Sequence, residues 1–358
     1  MNLSAVLVAL FTVSMLVVYS INNQVRKVTV SNALNYLIAA IMIFSAAFRS
    51  ELVGSDTPDY MEDYMAMSGV SLISVISDYP LSVVYYSTSW FAKFLGFPTW
   101  LWFGIVEAFY VFSFLYFINS YSRDRLFSFF CFLTIGLFFP SYCIMKQIVA
   151  MSFALLSYVA VSKKGFKKAV VFFVLGFFSH QSIILFLIAY LLYFFRNRKK
   201  TVVILTVALL LVSFLGANIW SSIVGGYGNE HYMMYAESDE DYSSTAFIYM
   251  ATLTFIVFLL KRKYYNNNPV ECTLYLSISL FACVLQSLAS SFSIAHRLAY
   301  YFMPFMILLI PNTISSMNNK VSRMLFQILY VAMMSFFLIY TQRNIPYLVD
   351  IRYFSFFQ

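Results

Sequence analysis

From Leu3 to Ser20 the chain carries no charged side chain, and runs of this kind return along its 358 residues. A helix needs about 20 apolar residues to cross a hydrocarbon core ~30 Å thick. Backbone groups in lipid must be satisfied internally, so spanning segments are helices or closed barrels. Strand-like alternation is absent, which favours helices. The composition agrees, at 61% hydrophobic and only 11% charged, a balance no soluble domain of this length tolerates on its surface. The reading is an all-α, polytopic integral membrane helix bundle, one transmembrane domain over residues 1–358. Spans are expected at 3–20, 33–48, 99–118, 126–142, 147–162, 169–180, 181–195, 201–218, 246–260, 271–290, 297–312 and 324–340, about twelve in all.

Charge sets the orientation. No lysine or arginine precedes the first span, whereas Arg26 and Lys27 follow it, so the N-terminus is expected outside and residues 21–32 in the cytoplasm. The alternate loops should then be basic, and they hold Arg123 and Arg125, the lysines 163, 164, 167 and 168, Arg196 to Lys200, Lys261 to Lys263, and Lys320 with Arg323. An even span count puts the C-terminus outside too. The formal net charge of +8 thus reports topology, not nucleic-acid binding. The first span lacks a cleavage-like site and is read as retained. Residues 80–96 are apolar, yet a crossing there would invert the basic loops, so a re-entrant or interfacial helix ending near Lys93 and Gly96 is expected. Residues 169–195 must form a hairpin of two short arms with Ser179 to Ser182 at its tip. The four cysteines show neither disulfide nor zinc spacing.

Polar groups outside this scheme need a reason. The outer segment 49–79 holds Arg49, Gly54, Ser55, Asp56, Thr57 and Pro58 before a helical pattern. Thr57 and Pro58 read as N-cap and first helical residue of an interfacial helix. Its Tyr60, Tyr64 and Met67 would face lipid, and Asp59, Glu62 and Asp63 water. Asp56 stands apart, before the helix and beside Gly54. Asp56, Asp59 and Asp63 together could hold magnesium, but their spacing is no defined metal motif, and a metal-free site is preferred. A second outer segment, 219–245, is acidic and glycine-bearing and reads as a solvated loop or a lid; its glycines make no phosphate-cradling motif, and no cofactor is expected.

Cations opposing the charge rule form the third group. Arg49 ends a span, Lys146 opens one beside Gln147, Arg297 opens another beside His296, and Arg343 and Arg352 follow the last, while His180 lies at the hairpin tip. All fall at one membrane face by this topology, as an anionic lipid headgroup would require. Each alone is also explained by snorkelling, which is preferred for Arg352. Glu107, inside the third span, has no assignment and needs a proton or a partner.

Taken in order, these residues resemble the EpsG family of membrane proteins, grouped with Wzy-type polymerases of exopolysaccharide and O-antigen synthesis. The resemblance rests on Arg49 with Gly54, Ser55, Asp56, Thr57 and Tyr60; on Lys146 and Gln147 at the head of a span; and on the lysine-rich turn 163–168. It continues through Phe177 to Ser182 around His180, and through Arg297, Tyr300, Tyr301 and Phe302. Lys146 departs from the family, which more often has arginine there, and so lacks the bidentate fork.

The resemblance implies a glycosyltransferase of the bacterial plasma membrane with a GT-C-like architecture. It would transfer a glycan from undecaprenyl diphosphate to the terminal sugar of another lipid-linked repeat unit, with membrane lipid and a chain-length regulator protein as further partners. Arg49, Lys146, Gln147, Arg297, Tyr301 and Arg343 would bind the diphosphate and substrate. Asp56 would be the base with His180 as the alternative, and direct attack would invert the anomeric carbon. A flippase or transporter of the same glycans, or an O-antigen ligase, stays open at this point.

Overall fold

The structure is a computed structural model and describes residues 3–21, 23–215, 244–289 and 295–342. Most of the expected acidic loop 219–245, together with Arg343 and Arg352, lies outside the described residues. Among those described, the regular elements are all helical. The chain divides into two compact units, residues 1–184 with 328–358, and residues 185–327.

The first unit opens with α1 (Leu3–Ser20) and α2 (Gln24–Ala47), followed by three short helices, α3 (Thr57–Ala66), α4 (Leu72–Asp78) and α5 (Val83–Phe94). Next come α6 (Thr99–Tyr121), α7 (Arg125–Thr134), α8 (Met145–Ser162) and α9 (Phe166–Phe177). Local chemistry sets several boundaries. Asn23 caps α2 by accepting from the Arg26 amide at 3.1 Å, and Asp124 caps α7 by accepting from the Phe127 amide at 3.1 Å, each satisfying a donor the helix itself cannot. Gly96, at φ +76, ends α5 with its amide on the Lys93 carbonyl at 2.9 Å. At 12 residues α5 is about 18 Å long, too short to cross, as the charge argument required.

Small residues let the long helices approach. A Cβ on Gly104 of α6 would lie 3.1 Å from the Ala47 Cβ of α2. Between α8 and α9, Ser157 donates to the Ala169 carbonyl at 2.7 Å, and a Cβ on Gly176 would press on Ile183 and on Phe153. Such close contacts are how membrane helices associate when lipid is as apolar as their side chains.

In the second unit α10 (Leu187–Phe194), α11 (Lys199–Leu215), α12 (Ser244–Leu260), α13 (Arg262–Asn267), α14 (Pro269–Leu288), α15 (Ala295–Ala299) and α16 (Met306–Ser315) follow in order. The last helix, α17 (Lys320–Gln342), begins in this unit and passes to the first at Ile328. Helix α14 is central, with α11, α12, α15 and α16 packed on it.

Six helices among the described residues are long and apolar enough to cross a membrane: α1, α2, α6, α8, α14 and α17. The other expected spans coincide with shorter helices, and the reasons are local. The segment expected at 126–142 stops as α7 after 10 residues, turns at Gly136 with φ +90, and resumes as a 3-10 turn containing Pro140. The 297–312 segment is divided among α15, a 3-10 turn with Pro304 and α16. Where a hairpin is expected over 169–195, the first unit holds α9 of 12 residues, and a 3-10 turn over Gln181–Phe186 leads into α10 of 8 residues in the second.

Gly176→Val should wedge α8 from α9 and cost about 1–3 kcal/mol, the usual toll of overpacking. Thermal unfolding of the detergent-purified protein checks this, with an unchanged midpoint denying the close packing.

Candidate functional site

The site is built outward from Arg49. Helix α2 ends with the Phe48 amide on the Phe44 carbonyl at 3.1 Å, leaving Arg49 just beyond the helix and only 1% exposed. Its guanidinium donates to the Ala46 carbonyl at 2.8 Å, to the Thr57 hydroxyl at 3.2 Å and to the Met145 sulfur at 3.3 Å. The Phe103 and Tyr142 rings lie 4.3 and 5.0 Å from its central carbon. Glu107 is buried in α6 and acts on Arg49 electrostatically.

Thr57 is the second anchor. Its hydroxyl does not cap α3; it donates back to the Val53 carbonyl at 2.6 Å while accepting from Arg49. The N-cap position falls to Asp56, whose side chain makes no capping bond. Gly54 makes the turn feasible: it sits at φ +89, and a Cβ there would lie 3.0 Å from both the Thr57 hydroxyl and the Tyr142 Cβ.

Held this way, α3 faces the protein with the side expected to face lipid. Tyr60, Tyr64 and Met67 are buried. Tyr64 donates to the Phe97 carbonyl at 2.7 Å and stacks on Trp102 at 6.1 Å. The periodicity located the face correctly, but its neighbours are α5 and α6.

Asp63, three residues after Tyr60 and so on an adjoining side of the helix, is half-buried and accepts from the Tyr86 hydroxyl at 2.8 Å. Lys146 donates to that same Tyr86 oxygen at 3.2 Å. Its ammonium lies 5.2 Å from the Tyr86 ring centre and 6.0 Å from that of Tyr60. The result is an ordered chain, ammonium to phenol to carboxylate. Burial, reinforced by the Asp63 carboxylate, pushes the Tyr86 phenol above its usual range, so Tyr86 keeps the proton it donates. Asp63, Asp56 and Asp59, in that order, act on the Lys146 charge. Tyr79 stacks on Tyr86 with ring centres 3.8 Å apart.

Of the residues expected from sequence, Asp56 is half-buried, acts on the Lys146 charge and accepts from the Ser55 hydroxyl at 2.6 Å. Gln147 is buried at the start of α8. His180 pairs Nδ1 with the Ser182 hydroxyl at 2.6 Å, and its turn is tied to α5 by the Val84 amide on the Phe178 carbonyl at 2.9 Å. These lie in the first unit with Arg49 and Lys146. Arg297, half-buried in α15, and Tyr301, buried beside Phe186 and Phe302, belong to the second. Among the described residues no three His, Cys, Asp or Glu side chains come together as a metal-binding group, Asp56, Asp59 and Asp63 included.

The sequence marks neither Tyr79 nor Tyr86, and it offers Asp63 only as a water-facing or metal-binding carboxylate, not as the partner of Tyr86. The signal for Asp63 was its spacing from Tyr60, while Tyr86 lay in an apolar run with nothing to mark it. Gly54→Ala should strain the left-handed turn by about 1–3 kcal/mol and loosen α3 from Arg49. A larger fall in unfolding midpoint for that variant than for Gly69→Ala, a control of similar φ in open space, would separate the close approach from strain alone.

No curated protein and no solved structure shows a significant match to the chain. The EpsG family matches it over residues 32–352, a span that takes in Arg49, Asp56, Lys146, His180 and Arg297 alike. The protein is a multi-pass membrane protein of the EpsG family.

Proposed function

We propose that this protein is a polysaccharide polymerase that transfers a glycan from undecaprenyl diphosphate to the terminal sugar of another lipid-linked repeat unit, at the outer face of a bacterial plasma membrane. Family membership supports the class of reaction. The observation that carries the chemistry is the meeting of a positioned lysine, a half-buried aspartate and stacked tyrosines in the first unit.

The acceptor hydroxyl attacks the anomeric carbon of the donor, and its proton passes to a base. Asp56 takes that role, with His180 as the alternative, and the hydroxyl of Ser55 holds the Asp56 carboxylate in place. The bond from the anomeric carbon to the diphosphate oxygen breaks, leaving undecaprenyl diphosphate with the electron pair. Lys146 stabilises the charge that develops there, and the Tyr86 and Asp63 pair holds its ammonium ready, so little reorganisation is needed. Direct displacement inverts the anomeric centre. Tyr79, half-buried and stacked on Tyr86 by one face, offers its other face for sugar stacking. Arg49 acts through position, fixing the turn that presents Asp56; Gln147, Arg297, Tyr301 and Arg343 are further substrate-binding candidates.

Asp56→Asn should cut chain lengthening by about 10²-fold or more while the protein still reaches the membrane. The surface glycan ladder of a deletion strain carrying the variant is the readout. A near-normal ladder removes Asp56 as the base. Single capped repeats in the deletion strain itself support a polymerase; loss of all surface glycan supports a flippase and sinks this reading.

A further inference from the structure

The turn between α8 and α9 lies at the other end of α8 from Lys146. Helix α8 closes with the Lys163 amide on the Val159 carbonyl at 3.1 Å, and the Gly165 amide returns to the Ala160 carbonyl at 2.8 Å. Between them Lys164 is held left-handed at φ 61, the one non-glycine residue with positive φ among those described. This is the ordinary way to stop a helix, but glycine or asparagine normally occupies that place.

Helix α9 begins in an unfavourable way. Its N-cap is Gly165, which has no side chain to satisfy the free amides, and its first turn holds no acidic residue but Lys167 and Lys168. Cations there oppose the positive end of the helix dipole. The same turn opens on a cavity of about 930 Å³ lined by Lys163, Lys164, Lys167, Lys168, Tyr116 and Phe172. Lys163 is drawn to one wall, donating to the Tyr116 hydroxyl at 3.0 Å with its ammonium 4.8 Å from that ring. Leu156 and Phe166 add apolar lining, and from there the apolar side chains of Val170 and Val171 run exposed along α9.

Basic loops need lysines near a membrane surface, but that requirement does not gather four of them round one cavity with an apolar wall. We propose that this cavity binds the phosphate of an anionic phospholipid headgroup. The phosphate sits among the lysines and the free amides of α9, relieving the dipole conflict; the acyl chains follow Phe166 and the exposed valines of α9. The volume is within the range of small-molecule sites. The inference stands apart from the proposed transfer reaction, since none of these residues takes part in it.

The full-length protein in neutral detergent, titrated with phosphatidylglycerol, phosphatidylcholine or inorganic pyrophosphate and read by native mass spectrometry and thermal unfolding, tests this. Phosphatidylglycerol should bind at least about tenfold more tightly than phosphatidylcholine, and Lys163→Gln/Lys167→Gln/Lys168→Gln should lose at least about tenfold of that affinity. Lys167→Glu is the sharper variant. An acid in the first turn of α9 favours the helix, so the lipid-free unfolding midpoint should hold or rise while phosphatidylglycerol binding falls. A control in another basic loop, Lys199→Gln/Lys200→Gln, should keep the wild-type affinity. Equal losses from control and triple variant, or no preference between the two lipids, overturn the site. Pyrophosphate binding that phosphatidylglycerol cannot displace overturns the lipid as its occupant.

Discussion

A guanidinium sealed from solvent cannot be left without acceptors, and that requirement organises the first unit. Taking a charge out of water costs several kcal/mol after relaxation, so the residues around Arg49 are committed to it. The Ala46 carbonyl at the end of α2, the Thr57 hydroxyl at the start of α3 and the Met145 sulfur at the start of α8 converge on one side chain. Three helix ends are thereby fixed relative to one another by a single side chain. Asp56 is the residue just before Thr57 and Lys146 the residue just after Met145, so Arg49 sets the place of both through their neighbours. A substitution at Arg49 would therefore displace Asp56 and Lys146 together, the two residues to which the proposed function gives base and donor-binding roles.

Short helical pieces do most of the positioning. Helix α7 is buried from Leu126 onward, and so are Tyr142 and most of the turn that leads to it from Leu137. Irregular backbone at membrane depth is tolerated only where protein covers it, and here α1, α2 and α6 pack on α7. Tyr110 donates to the Leu137 carbonyl at 2.8 Å, satisfying a group that a continuous helix would have satisfied itself. The interruption delivers Tyr142 against Arg49 and aims the start of α8 at the polar cluster, which an unbroken span over 126–142 would not do.

The helices were legible because apolar runs between basic turns have few other solutions, and the polar residues because each opposed the charge rule or matched the family pattern in order. What sequence did not give was direction. In water an apolar face points to the core, so the stripe of Tyr60, Tyr64 and Met67 has one reading. In a membrane both lipid and protein accept that stripe, and the choice between them depends on what α5 and α6 offer. A lipid-facing stripe would turn Asp63 toward water; in the structure Asp63 meets the Tyr86 hydroxyl and acts on Lys146. Span length failed for a similar reason: hydropathy does not distinguish a crossing from apolar pieces joined at Gly136 or Pro304, because a broken segment buried in protein is as apolar as a whole one.

Helix α8 ties the two polar sites of the first unit together. Its 18 residues extend about 27 Å, close to the thickness of a hydrocarbon core, so Lys146 at its head and the lysine cavity at its foot stand near opposite membrane faces. Their surroundings differ in kind. Lys146 is matched by Asp63, Asp56 and Asp59, whereas lysines alone supply the charge lining the cavity. A lone cluster of cations belongs where anionic lipid is abundant and the charge rule operates, on the cytoplasmic side. If the cavity marks that side, the mixed-charge site must face the other way, toward the compartment where lipid-linked glycans are polymerised. On the proposed function and the proposed lipid site, one helix then carries both a lipid-binding cluster and the lysine set to meet the donor.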